Sequence, residues 1–218
     1  PSFYQYENGF KRAVYQPEAG RYVNIDQPQG LVLLSEQKTA GKLVKRNPGA
    51  SLIDLGDGIG CVEFHTKMNV LDRDIFNIIV EAQQRLKTDF DGLVIGNEAD
   101  NFCAGANIFL VVMMAQSGQW EQLGELVKDM QDILMSVRYS PKPVVVAPSG
   151  LALGGGAEVI MSGNRVVAAS ELYCGLVEIG VGVIPAGSGT KEMLRRVLNP
   201  AMRTKDVQPL PLLQRIFE

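Results

Sequence analysis

The chain is predicted to be an α/β protein. Strand-like apolar runs alternate with segments of helical periodicity from Ser51 onward, and glycine-rich turns fall where strands pass into helices. At 218 residues and 46% hydrophobic content there is enough material to bury a substantial core.

The elements follow in order. Residues 1–50 hold short strand-like runs such as LVLLSE between QPEAG, DQPQG and NPGAS, with no periodic helix, and read as a linker or an appendage of a preceding domain. Residues 51–218 read as the main domain. SLIDLGDGIGCVEFH gives two strands about a GDG turn, the hairpin chemistry of residues at positive φ. Leu71, Ile75, Ile78, Ile79, Ala82 and Leu86 then form one helical stripe, with Asn69 as its expected cap. DGLVIGNE is a short buried strand. A long helix from about Trp120 to Arg138 carries Leu123, Leu126, Val127, Met130, Ile133, Leu134 and Val137 on one face and ends at SPKP. Both stripes read as core. VVVAPSG is the next strand, the glycine run opens a helix through Ile160, RVVAAS is a strand and SGTKEMLRRVL a last helix.

Composition narrows the function classes. A net charge of -3 leaves no basic footprint for nucleic acid, and the longest apolar stretch, IFLVVMMA, is far short of a membrane span. Three cysteines without CxxC spacing offer neither a disulfide framework nor a metal site, which fits a reducing cytoplasm. There is no initiator Met, and LLQRIFE stops in mid-helical pattern, so the chain reads as a piece of a longer protein.

Phosphate and hydrolase motifs fail on inspection. GDGIGC and GVGVIP do not complete a dinucleotide fingerprint, GSGTK has the wrong order for a P-loop, and no G-x-S-x-G occurs. The single histidine, His65, sits at a strand end and reads as a surface or strand-end residue in preference to a base.

Two glycine-rich strand-to-helix turns remain, NFCAGANI (Asn101 to Ile108) and LALGGGAE (Leu151 to Glu158). Such runs leave helix N-terminal N–H groups bare, where two converging donors would cradle an oxyanion. Composition alone equally admits tight turns made for close packing. Glu158 and Glu178 shift the balance, because each lies in an apolar run. A carboxylate there must be paired, hydrated or chemically active. One such Glu reads most simply as a helix N-terminal charge interaction or a strand-end salt bridge; two beside a glycine turn point to paired acid/base chemistry.

NFCAGANI, KPVVVAPSGLALGGGAEVIMSGNRVVAAS and YCGLVEIGVGVIPAGSGT resemble the enoyl-CoA hydratase/isomerase (crotonase) family in order and spacing, over about Ile59 to Arg196. The resemblance implies a spiral of ββα units, here truncated at the C-terminus, with both glycine turns serving a CoA thioester. Carried over, the backbone N–H groups of Ala106 and Gly155 are the oxyanion donors and Glu158 and Glu178 the catalytic carboxylates. Lys67 and Met68, in TKMNVL, match the segment along which CoA lies, and Ala104, Ala106, Asn107, Ile108 and Gly155 line the substrate. Asn107 stands where the family often has Asp. The implied activity is reversible hydration of a 2-enoyl-CoA in fatty-acid β-oxidation, with no metal and no cofactor beyond the CoA of the substrate. A 2,3-enoyl-CoA isomerase, which can work with one carboxylate, and a non-catalytic acyl-CoA-binding or assembly module are the alternatives. A homotrimer is the implied assembly. Residues 1–50 are similar to the stretch joining a 3-hydroxyacyl-CoA dehydrogenase to a hydratase domain in bacterial fusion enzymes, so a dehydrogenase domain is expected upstream.

Overall fold

The first three strands form a sheet of their own. β1 (Tyr4–Glu7), β2 (Phe10–Gln16) and β3 (Arg21–Asn24) make an antiparallel meander in a computed structural model that describes residues 2–26, 30–203, 208, 210, 211 and 214. LVLLSE, expected to be strand-like, instead opens the short helix α1 (Leu34–Thr39). The reason is tertiary: the Glu98 carboxylate accepts the N–H groups of Leu34 (2.5 Å) and Ser35 (3.3 Å), supplying a cap that no local residue provides. Leu34 is buried against Ile53 and Cys61, and Lys38 pairs with Glu63 at 3.0 Å.

The main sheet begins before residue 51. β4 (Leu43–Arg46) runs antiparallel to β5 (Ala50–Gly56), which pairs antiparallel with β6 (Ile59–Phe64). Gly56, Asp57 and Gly58 all have positive φ in the intervening turn, as the GDG pattern predicts. The sheet therefore crosses the division drawn at residue 50, because β4 covers what would otherwise be an open edge of β5.

Helix α2 (Arg73–Arg85) is capped by Asp72, whose side chain accepts the N–H of Ile75 at 2.9 Å, and not by Asn69. Asn69 is held in the left-handed region (φ 52°), its side-chain amide donating to the Asn101 carbonyl at 2.9 Å. The predicted stripe of α2 is buried from Ile75 to Leu86. β7 (Gly92–Gly96) follows, parallel to β6. Helices α3 (Ile108–Gln116) and α4 (Trp120–Arg138) come next, then β8 (Val144–Ala147), parallel to β7.

The α4 stripe is core only in its C-terminal half. Leu134 and Val137 are buried, but Leu123, Leu126 and Val127 are half-exposed beside α3, a helix with no buried residue of its own. An apolar stripe is buried only where something lies over it.

β9 (Leu151–Leu153), which periodicity did not distinguish from the run before it, pairs with β11 (Tyr173–Gly175) outside the main sheet. Between them lie α5 (Gly155–Ser162) and β10 (Arg165–Val166), the last strand of the order β10-β8-β7-β6-β5-β4. A 3₁₀ turn (Glu178–Val181) leads to α6 (Gly189–Met202). Buried Glu192 fixes α6 to α4 through Arg138 at 3.4 Å, and Arg196 donates to the Met161 carbonyl of α5 at 2.8 Å. No helix among the described residues is long and apolar enough to cross a membrane.

Candidate active site

The two glycine turns lie side by side because Cys103 extends along β9. The Cys103 N–H donates to the Leu151 carbonyl (3.0 Å) and its carbonyl accepts from Leu153 (2.9 Å). From there the peptide planes aim the donors. Leu71 N–H donates to the Gly105 carbonyl at 2.8 Å, and in a planar trans peptide this points the Ala106 N–H the opposite way. Likewise Glu158 N–H donates to the Gly154 carbonyl at 3.1 Å, which turns the Gly155 N–H outward from the start of α5. Neither N–H donates to another group among the described residues.

The same packing explains the glycines. A Cβ on Gly155 would lie 2.9 Å from Leu71 Cδ1, 3.2 Å from Met130 Cε and 3.5 Å from the Ala106 nitrogen, intruding between the donors. One on Gly156 would lie 2.5 Å from the Cys103 carbonyl oxygen, and Gly154 and Gly105 have φ of 53° and 96°. Close approach of side chains at Gly155 and of backbone at Gly156, and not turn geometry alone, requires the run.

Both carboxylates are buried at this point. Glu158 Oε1 accepts the N–H groups of Ser188 and Gly189, each at 2.7 Å, so α6 orients the side chain from its own N-terminus. Its Oε2 and Met130 Cε both occupy the space that a Cβ on Gly187 would need. Glu178 lies over the second turn, where a Cβ on Gly154 would be 3.1 Å from its Oε1, and its Oε2 is buried without a hydrogen-bond partner among the described residues. Burial pushes the Glu178 pKa up, its own backbone N–H partly offsets the rise, and the nearby Glu158 charge adds to it.

The remaining expected residues fall around this cluster. Lys67 and Met68 are exposed on a 3₁₀ turn (Lys67–Asn69), tied to the first glycine turn by the Ala104 N–H donating to the Met68 carbonyl at 3.1 Å. Asn107 caps α3, its Oδ1 accepting the Leu110 N–H at 3.1 Å, and Ile108 is the first residue of that helix. A cap needs an oxygen and not a charge, so Asn serves here as Asp would. His65 follows the end of β6, and its ring lies between the Pro48 carbonyl (3.1 Å) and the Ser51 hydroxyl (3.0 Å).

Sequence reasoning missed Ser188 and Gly189, Leu71 and Met130. The first pair carried a usable signal, since PAGSGT is a third small-residue turn opening a helix. Leu71 and Met130 carried none, because each sits in a stripe that reads as core.

Comparisons with known proteins identify the family and the fold. The family profile for enoyl-CoA hydratase/isomerase matches residues 54–204. A protein named probable 3-hydroxyacyl-CoA dehydrogenase from Bacillus subtilis (strain 168) is 40% identical over 210 residues, 93% of this chain but 26% of its own length. A putative fatty acid oxidation complex trifunctional enzyme from Rickettsia felis is 35% identical over 155 residues, 71% of this chain and 21% of that protein. This chain therefore spans about a quarter of the length of these relatives. Among solved structures, an enoyl-CoA hydratase from Polaromonas sp. JS666 superposes with a TM-score of 0.63 at 25% identity, over 67% of this chain and 58% of that one. The spiral fold, the paired turns and a family match over more than half of the sequence make the chain a member of the enoyl-CoA hydratase/isomerase family.

Proposed function

We propose that this chain catalyses reversible addition of water across the 2,3 double bond of a 2-enoyl-CoA thioester. The observation that carries the reading is the convergence of two backbone N–H groups, at Ala106 and Gly155, that donate to no other group among the described residues, with two buried carboxylates. The thioester oxygen accepts from both donors, where each is worth about 3 kcal/mol as charge develops on it. Glu158, held by two N–H groups through Oε1, presents Oε2 to a water. As the water oxygen bonds to C3, Glu158 takes one of its protons; Glu178, whose raised pKa favours the protonated form, gives a proton to C2. Solvent exchange then returns the pair to its starting state. Charge is carried by amides and protons by carboxylates, so the reaction asks for no cofactor beyond the substrate's CoA. Isomerisation of the double bond needs only one carboxylate, and the presence of two supports hydration.

The names of the Bacillus and Rickettsia relatives support a place in fatty-acid β-oxidation, in a multifunctional protein whose dehydrogenase part oxidises the 3-hydroxyacyl-CoA made here. Exposed Phe109, Ile179 and Ile184 support self-association, for which a homotrimer is the proposed form, and free cysteines support a reducing, cytoplasmic setting.

Replacing either Glu158 or Glu178 by Gln keeps side-chain shape and removes proton transfer. Hydration of crotonyl-CoA should fall by about 10² to 10⁴ in each variant, and the double variant should lose far less than the product of the two. Near-parental turnover in both correctly folded single variants would falsify the two-carboxylate mechanism.

A further inference from the structure

We propose that Met130 determines which acyl groups the site accepts, its thioether methyl forming the wall against which a substituent on C3 of the enoyl group packs. This rests on the hydratase reading, which places the thioester oxygen at the Ala106 and Gly155 amides and C3 beside the water on Glu158. The acyl carbons C1 to C3 must then run from Gly155 toward Gly187. Met130 Cε stands over that path, 3.2 Å from the position of a Cβ on Gly155 and 2.5 Å from that of a Cβ on Gly187.

The neighbouring walls are fixed. Leu71 is buried and its N–H is engaged by Gly105, while Glu158 is locked by the amides of Ser188 and Gly189. Met130 is half-buried with its thioether methyl set between the Cβ positions of Gly155 and Gly187, so it is the wall group whose replacement reshapes this path. Its backbone has less freedom, because the adjacent Gln131 side chain donates to the Ala186 carbonyl at 2.6 Å and ties α4 to the loop bearing Gly187. A straight-chain enoyl group therefore slides along the methyl, whereas a methyl branch at C3 is driven into it. The substrate class is unbranched 2-enoyl-CoA.

The test compares kcat/KM for 3-methylcrotonyl-CoA and crotonyl-CoA in the full-length protein and in Met130→Ala and Met130→Leu. The wild type should favour crotonyl-CoA, and the ratio of branched to straight substrate should rise about tenfold or more in Met130→Ala, the scale on which a hydrophobic pocket distinguishes one methyl group. Leu, similar in volume but shorter in reach, should give a smaller rise. An unchanged ratio in folded Met130→Ala that still hydrates crotonyl-CoA overturns the role of Met130 and leaves the hydratase reading intact; a wild type that hydrates neither thioester overturns both. A second measurement needs no altered stability: with methyl-¹³C methionine, butyryl-CoA, which carries C3, should move the Met130 resonance more than acetyl-CoA, which lacks it. Equal movement by the two ligands sinks the proposal.

Discussion

The two glycine-rich turns supply the same kind of donor by different constructions. The first is held from outside: Leu71 aims the Gly105–Ala106 peptide, Met68 accepts from Ala104, and a side chain, Asn107, caps the helix that follows. The second is tied to its neighbours by Gly154 N–H donating to the Gly175 carbonyl of β11 at 2.8 Å, but its donor peptide is aimed by its own helix. Gly154 accepts from Glu158 within the first turn of α5, and no side chain caps that helix. The difference teaches where each turn is vulnerable. Donor Ala106 depends on segments far away in sequence, whereas donor Gly155 depends on the absence of a side chain at one position.

The largest effect should therefore come from the second turn. Gly155→Val places branched carbons against Leu71 Cδ1, Met130 Cε and the Ala106 nitrogen, obstructing both donors at once. Loss of one oxyanion donor lowers turnover by about 10² to 10³, and this variant should lose at least that. Crotonyl-CoA hydration, measured beside the circular dichroism spectrum, checks it; a folded Val variant with parental kcat would mean that the thioester does not lie between the turns.

How far the sequence reveals these turns depends on distance along the chain. The α/β alternation, both glycine runs and the two carboxylates are local patterns, and all are legible. Helix α1 is not, since its cap comes from Glu98, nor is the anchoring of Glu158, since its donors Ser188 and Gly189 belong to another helix. Asn69 precedes a helical stripe and looks like its cap, yet its side-chain amide donates to the Asn101 carbonyl at the start of the first glycine turn. Met130 and Leu123 share one stripe, but only the fold shows that one faces the site and the other lies half-open beside α3.

A smaller effect separates the turns by pH. Glu178 packs over Gly154 of the second turn, and its pKa is raised first by burial and then by the charge of Glu158. A raised carboxyl pKa means that protonation favours the folded state. The stability Glu178 contributes is fully present below its unfolded pKa and is lost as pH rises through the folded value. Thermal melts should thus show the wild type losing ground to Glu178→Gln as pH is raised from about 4 toward neutrality, around the ordinary carboxyl range and above it. Glu158→Gln should move that loss to lower pH by removing one of its causes. A stability difference independent of pH would mean that Glu178 is solvated in the folded protein.

The smallest effect belongs to the first turn's helix. Asn107 Oδ1 accepts the Leu110 N–H, and α3 has no buried residue to compensate for losing that bond. Asn107→Ala should cost about 1 kcal/mol of helix stability, seen as faster amide exchange confined to residues 108–116, while Asn107→Asp keeps the acceptor and should gain a few tenths (~0.3 kcal/mol) from the helix dipole. The Ala106 N–H is aimed by Leu71 and not by the cap, so turnover in the Ala variant should fall far less than in Gly155→Val. If the Ala variant instead matched that loss, the first turn would depend on its helix as the second does, and the contrast between an externally held donor and a self-held one would collapse.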